Sequence, residues 1–331
     1  MNIYGTLGPK CDDIDVLAKM FQEGMTGIRI NLSHVMLADC SESIERIHQA
    51  AYDSGVSADI LIDMRGPELR IGQFDKELIL SSGDSFTLGK DGIPLDVEIL
   101  EHMKKGMEVL LDDGKIQAEV REVTGDRAVL ETVRGGTLTQ RKSILLKGQD
   151  LQLPAVSEDD YKNLELIKEY GITGVMQPFV RSRKDLEELR KALTEYGCSE
   201  ISIFAKIENM AGYSNLTSFV DCCDEVIIAR GDLGNSMPLW ELPHIQKSIS
   251  RICNEQRKPF MVVTQMLSSM EHCQVPTRAE VSDIYNAVLD GASSLMVTGE
   301  TAIGDNPVEV IKYLKNTARE AYRHPDDRKY K

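Results

Sequence analysis

Lys206 and Glu208 stand two residues apart, and Asp232 follows in the run Arg230-Gly231-Asp232. Side chains two apart on a strand point the same way, so Lys206 and Glu208 share a face if this segment is a strand. Glu208 and Asp232, on adjacent strands, suit one hard cation such as Mg²⁺, which takes one or two carboxylates and leaves places for substrate oxygens. An ammonium beside that ion would neutralise a phosphoryl group in transfer. Arg29, Asn31 and Ser33 also alternate and share a face. Each residue has an ordinary alternative. Lys and Glu two apart often make a plain ion pair, Asp232 suits a turn, and His34 suits a satisfied surface histidine.

The elements that must position these groups are legible as short apolar runs with polar ends. The polar ends are Thr6–Pro9, Arg29–His34, Asp63–Glu68, Gln177–Phe179, Lys206–Asn209, Arg230–Asp232, Thr264–Gln265 and Thr298–Thr301. The runs predict strands at 3–5, 27–32, 59–63, 173–177, 201–206, 225–229, 259–264 and 294–297. Helical periodicity covers 14–21 and roughly 38–53, then 183–195, 211–219, 244–256, 277–288 and 307–323. A further helix starts near Ser157, with Glu158 and Asp159 where a helix N-terminus favours acids. Eight alternations of strand and helix predict an α/β fold, a closed (β/α)₈ TIM barrel with its chemistry at the carboxyl ends of the strands. A doubly wound sheet is the runner-up, but no Gly-x-Gly-x-x-Gly follows the first strand. Polar groups recurring at the strand ends of one barrel favour a shared site over several unrelated structural uses.

Residues 71–150 break the rhythm with strand-like runs cut by turns such as Ser82-Gly83-Asp84, Asp112-Asp113-Gly114 and Thr124-Gly125-Asp126. The expected organisation is a barrel domain of 1–70 and 151–331, with an inserted all-β domain, a β-barrel lid, at 71–150 after the third strand.

The formal net charge of −15 argues against a general nucleic-acid or anionic-membrane surface. Any anionic substrate must therefore meet a local basic cluster. Seven cysteines without a Cys-x-x-Cys predict packed thiols in a reducing, cytoplasmic setting rather than a disulfide framework or zinc site. The start Met1-Asn2-Ile3-Tyr4 does not read as a signal peptide, and no apolar run nears membrane-spanning length.

Several segments resemble the pyruvate kinase family over nearly the whole chain. They are Thr6–Pro9, Arg29–His34, Asp63–Arg70, Pro154–Glu158, Phe204–Asn209, Ala229–Gly234, Val263–Met270, Pro276–Asp283, Asn286–Ala292 and Gly299–Ala302. The resemblance implies phosphoryl transfer between phosphoenolpyruvate and ADP, giving pyruvate and ATP. It implies that Lys206 contacts the phosphoryl group, that Arg29 grips the phosphate, and that Thr264 orders the water that protonates the enolate. Ala229, Arg230, Gly231, Asp232 and Thr264 would bind substrate. Glu208 and Asp232 would hold Mg²⁺ or Mn²⁺. Asn31, Ser33, Asp63 and the Met64 carbonyl would hold K⁺, and Glu68 stands where potassium-dependent members carry Glu. Pro9, Asn31, His34, Arg70 and Lys142 would meet the nucleotide.

The chain also departs from the family's pattern. Pro178 follows Gln177 where a Ser commonly assists substrate binding, and Val35–Asp39 lacks the usual Gly and aromatic residue. Leu145-Leu146-Lys147-Gly148 stands for Asn-Leu-Pro-Gly, and Ser236, Ser268 and Ile303 replace two Glu and a Lys. These changes leave open a metal-dependent enolate enzyme with another acceptor or an oxo acid, and a catalytically impaired ligand-binding regulator. The sequence runs to Lys331 without the C-terminal domain usual in the family, which sets the expectation of a homodimer through the barrel helices.

Overall fold

The computed structural model describes residues 1–33, 35–67, 69–112, 114–148 and 153–324. By compactness the chain forms two units, Met1–Pro67 with Pro154–Lys331, and Glu68–Leu153.

In the larger unit, eight parallel strands close a barrel: Asn2–Thr6, Gly27–Asn31, Asp59–Asp63, Gly174–Gln177, Ser202–Ile207, Glu225–Ala229, Phe260–Val263 and Ser294–Met296. Each strand pairs with its neighbours in chain order, and the first pairs with the last. The sequence builds this by strict alternation. Tyr4, Leu61, Phe204, Ile227, Met261 and Met296 pack together inside the barrel. Their neighbours Ile3, Ile60, Ile62, Ile203, Val226, Val262 and Leu295 belong to a separate core between barrel and helices. A strand buried on both faces needs this double apolar pattern. The alternation also fixes the inward positions further along: Arg29 on the second strand, Asp63 on the third, and Lys206 then Glu208 on and just past the fifth.

The outer helices include Ile14–Gln22, Ser41–Asp53, Arg183–Glu195, Met210–Phe219, Leu242–Glu255, Arg278–Leu289 and Pro307–Arg323. Capping residues set several starts: the Asp13 carboxylate accepts from Asp15 and Val16 N–H, and Thr277 forms a reciprocal box with Glu280. A 3₁₀ turn, Leu37–Cys40, precedes the second helix. Two short helices lie where sequence reading gave only polar strand ends, Arg230–Asn235 and Gly299–Ala302. Asp232 therefore sits in the first turn of a helix rather than in an open turn.

The smaller unit packs its own core from residues including Leu88, Val109, Ile116, Ala118 and Leu130. Its strands Ser85–Gly89, Glu108–Leu111, Ile116–Thr124, Arg127–Arg134 and Ile144–Leu146 form one antiparallel sheet. Leu78–Leu80 pairs with Gly136–Leu138 as a separate two-stranded sheet. Among the described residues, these strands do not pair into one closed ring, and a single helical turn, Val97–Leu100, interrupts them.

Candidate active site

Four charged side chains line up at the carboxyl mouth of the barrel. Asp63 Oδ2 accepts from Arg29 Nε at 2.9 Å and from its Nη2 at 2.7 Å. Lys206 Nζ lies 3.1 Å from both Asp63 oxygens and 2.8 Å from Glu208 Oε1. Asp63 and Glu208 are 2% and 3% exposed, so their partners rather than water must stabilise the charge. Burial alone would raise the Asp63 carboxyl, but Lys206 and Arg29 outweigh it and hold it below the usual range. Burial likewise opposes the Lys206 charge, and Asp63 with Glu208 outweighs it, so the ammonium stays protonated well above neutrality. Two cations are thus fixed in place before any anion arrives. That is the arrangement electrostatic stabilisation requires, because little reorganisation is left for the moment of reaction.

Glu208 has a second anchor. Its Oε2 accepts the Phe179 N–H at 2.8 Å, just past the fourth strand. Phe179 has φ of 51°, in the left-handed region that non-glycine residues seldom enter. Among the described residues each Glu208 oxygen therefore has one partner, and a carboxylate offers about four lone-pair positions. Lone pairs remain for a hard cation. No group of three or more His, Cys, Asp or Glu among the described residues is arranged to hold a metal. The site fits an ion taking few carboxylates and completed by substrate oxygens, and does not fit a closed protein cage.

On the opposite side, Thr264 adopts φ of 67° and Gln265 φ of 52°, directly after the seventh strand. A β-branched residue in that region is an outlier that its surroundings must impose. The Thr264 carbonyl accepts from Arg230 Nη2 at 2.6 Å, and its hydroxyl oxygen accepts the Gly231 N–H at 2.9 Å. Arg230 is itself fixed by Asp283, at 2.6 Å. Below the loop, Glu300 accepts from Leu267 N at 3.1 Å and Thr298 N at 2.7 Å, and Glu280 accepts from Ser269 N at 2.7 Å. Sequence reading missed Asp283, Glu280 and Glu300 in these roles, although all three fall within the segments that carry the family resemblance.

The remaining candidates divide by location. Ala229 ends the sixth strand, and Gly231 and Asp232 open the helix after it. Asn31 Oδ1 accepts the Ser33 N–H at 3.2 Å, and Met64 N–H bonds the Met176 carbonyl at 3.2 Å. Pro9 lies in the exposed turn after the first strand. Arg70 and Lys142 belong to the smaller unit, where they come close together: Arg70 bridges Ser143, and Ile71 N–H bonds the Lys142 carbonyl at 3.0 Å. The Lys142 ammonium pairs with Asp112 at 2.8 Å. His34 and Glu68 lie outside the described residues.

Comparison with known proteins gives this arrangement its context. The family model for the pyruvate kinase barrel domain matches residues 1–311. A pyruvate kinase of Aeropyrum pernix is 37% identical over 98% of this chain and 71% of its own length. One of Clostridium perfringens is 34% identical over 97% of this chain and 70% of its own, and for one of Bacillus licheniformis the figures are 34%, 97% and 57%. The likeness runs through both units and carries a phosphotransferase assignment. The chain belongs to the pyruvate kinase family.

Proposed function

We propose that this protein transfers the phosphoryl group of phosphoenolpyruvate to a nucleoside diphosphate, ADP in the first instance, giving pyruvate and the triphosphate. The observation that carries the reading is the chain of ion pairs Arg29–Asp63–Lys206–Glu208 at the barrel mouth, with both carboxylates buried. Phosphoryl transfer asks for positioning and charge neutralisation more than covalent help. Arg29 and Lys206 supply two fixed positive charges for the phosphate oxygens. Glu208 and Asp232 would hold a divalent ion, Mg²⁺ or Mn²⁺, which supplies further neutralisation at the enolate and phosphoryl oxygens. Ala229, Arg230 and Gly231 present the short helix Arg230–Asn235 to the substrate. The Thr264 hydroxyl oxygen accepts the Gly231 N–H, which leaves its own hydrogen to orient a water beside the enolate.

Asn31, Ser33, Asp63 and the Met64 carbonyl form the proposed K⁺ set. Because Asp63 already serves Arg29 and Lys206, a monovalent ion would share that carboxylate with them. Pro9, Asn31, His34, Arg70 and Lys142 are the proposed nucleotide contacts, and the inserted unit the proposed lid. The relatives' common activity and the intact Lys206, Glu208, Asp232 and Thr264 favour this reading over another acceptor or a binding-only role.

All seven cysteines are free, five of them buried. Burial pushes the Cys11 thiol up to about 11, which suits packing in the reducing cytoplasm. No described helix is long and apolar enough to cross a membrane. A homodimer is proposed through Leu242–Glu255 and Arg278–Leu289. The exposed pair Leu239 and Trp240, 67% and 82% accessible beside the first of these helices, supports it. Equilibrium sedimentation tests this: a monomer at all concentrations would refute it. The transfer itself is tested by following pyruvate from phosphoenolpyruvate over several nucleoside diphosphates with Mg²⁺ and K⁺.

A further inference from the structure

We propose that Asp160 is a positioning residue for the site. It ties the two chain crossings of the barrel unit to one buried point and, through the end of the fourth strand, sets the carboxylate of Glu208. The inference builds on the proposed phosphotransfer site but rests on bonds that are independent of it.

Asp160 is fully buried in the first turn of the helix Glu158–Leu164. Among the described residues, no cation pairs with it. Its Oδ1 accepts the Arg65 N–H at 2.9 Å, and its Oδ2 accepts the Gly66 N–H at 2.9 Å. The same Oδ2 accepts from Ser157 N–H at 3.1 Å and from the Ser157 hydroxyl at 2.6 Å. Arg65 and Gly66 lie where the chain leaves the barrel after its third strand, and Ser157 where it returns. One carboxylate thus satisfies backbone donors of both crossings. A capping box for a seven-residue helix needs only the Ser157 contacts. The bonds to Arg65 and Gly66 go beyond that need.

The crossings in turn hold the fourth strand's end. Met64 N–H bonds the Met176 carbonyl at 3.2 Å, and Gln177 Nε2 donates to the Ala155 carbonyl at 2.7 Å. Gly66, at φ of 60°, lies so close to Pro178 that a Cβ there would fall 2.4 Å from the proline Cγ. The next residue is Phe179, whose strained backbone directs its N–H at Glu208 Oε2, 2.8 Å away. The path therefore runs from Asp160 to Gly66, from Gly66 to Pro178, and from Phe179 to Glu208. Pro178 gives the path a stiff middle, since its ring fixes the backbone where Gly66 leans on it.

The test is amide hydrogen exchange at Phe179, with kcat measured alongside. Asp160→Asn keeps the volume but turns one acceptor into a donor facing backbone N–H groups. The expected result is exchange at Phe179 at least about tenfold faster than in the parent, with the helix Pro307–Arg323 unchanged. kcat should fall about ten- to a hundredfold, the usual cost of losing a group that orients a metal-binding side chain. Ser157→Ala removes the helix cap but keeps the bonds to Arg65 and Gly66, and should leave Phe179 at the parent rate. If Asp160→Asn does not fold, Gly66→Ala perturbs the same path from the far side and must speed exchange at Phe179. Faster exchange confined to Arg65, Gly66 and Ser157 would reduce Asp160 to a local cap and overturn the proposal. A parent chain without transfer activity would overturn the proposed function instead, and the exchange result would still decide the role of Asp160.

Discussion

The two mouths of the barrel carry inward-facing acids in different company. At the carboxyl mouth, Asp63 ends the third strand and meets Arg29 and Lys206. At the amino mouth, Asp59 begins that strand and accepts the Tyr4 hydroxyl at 3.0 Å. Glu225 begins the sixth strand there and accepts the Ser293 hydroxyl at 2.8 Å. The cavity at this end, about 210 Å³, is lined by Tyr4, Asp59, Phe204, Asp224 and Glu225 among others. Burial raises the Glu225 carboxyl, helped by Asp59, while the serine contacts oppose it. So the barrel's inward positions turn one acid into a fixed anion between cations and the other into a carboxyl that resists ionisation. What separates them is the charge of the partner, and fixed cations occur at the mouth where an anionic substrate is expected.

The sharpest break of that comparison is Lys206→Met. It deletes the cation between Asp63 and Glu208 and should lower kcat by about a thousandfold, the upper range for loss of one fixed electrostatic group. A loss below tenfold would show that the carboxyl mouth does not owe its chemistry to this charge.

Asp63→Asn strikes the ion pairs instead of the proposed catalytic cation. It leaves Arg29 and Lys206 without their shared anion, and breaking a buried pair costs about 3–5 kcal/mol. Denaturant titration measures this. The pH dependence has a definite sign. The folded Asp63 carboxyl is held below its unfolded value, so its stability contribution is present above that value and is lost as pH falls through the folded one. The variant should lack that acid-side loss. Parent and variant melting in parallel from neutral pH down to pH of about 3 would contradict the pairing.

Thr264→Ala should cost about a hundredfold in kcat if the hydroxyl orients the protonating water. Substrate binding, measured by fluorescence or calorimetry, should change far less. An equal loss in both would make Thr264 a binding group.

The smallest effect belongs to the amino mouth. Glu225→Gln keeps an acceptor for Ser293 and removes an ionisation that burial disfavours. The folded carboxyl is raised, so its stabilising contribution is complete below the unfolded value and is lost as pH rises through the folded one. The variant should gain a few degrees in melting temperature at neutral pH, with the gain vanishing toward pH of about 4. Activity should stay at the parent level. A destabilised variant at neutral pH would mean that the Glu225 charge is compensated after all.

Much of this was legible in the sequence because the period of two carries both the core and the site. Once Ile60 and Ile62 face the helices, Leu61 and Asp63 must face inward, and the same holds for Phe204 and Lys206. The family motifs implied roles that periodicity could not, and those roles stand as proposals. The Asp63 bridge was less visible, because it depends on the register that sets Asn31 beside Asp63 and so brings Arg29 within reach. The helices Arg230–Asn235 and Gly299–Ala302 were missed for a plain reason: glycines at 231, 234 and 299 lower helix propensity and read as turns. The left-handed Thr264 and Phe179 were invisible, since neither residue type announces a positive φ. Asp160 hid as an ordinary acid in a helix's first turn, and only the folded chain shows two crossings meeting on it.

The most direct test of the central claim is a single coupled measurement with phosphoenolpyruvate, a nucleoside diphosphate, Mg²⁺ and K⁺. The account predicts pyruvate and nucleoside triphosphate in equal amounts, with formation stopped by a chelator of divalent ions and by Lys206→Met. A folded parent protein that forms no pyruvate with any nucleoside diphosphate, or forms it at the same rate with Met at position 206, would contradict it.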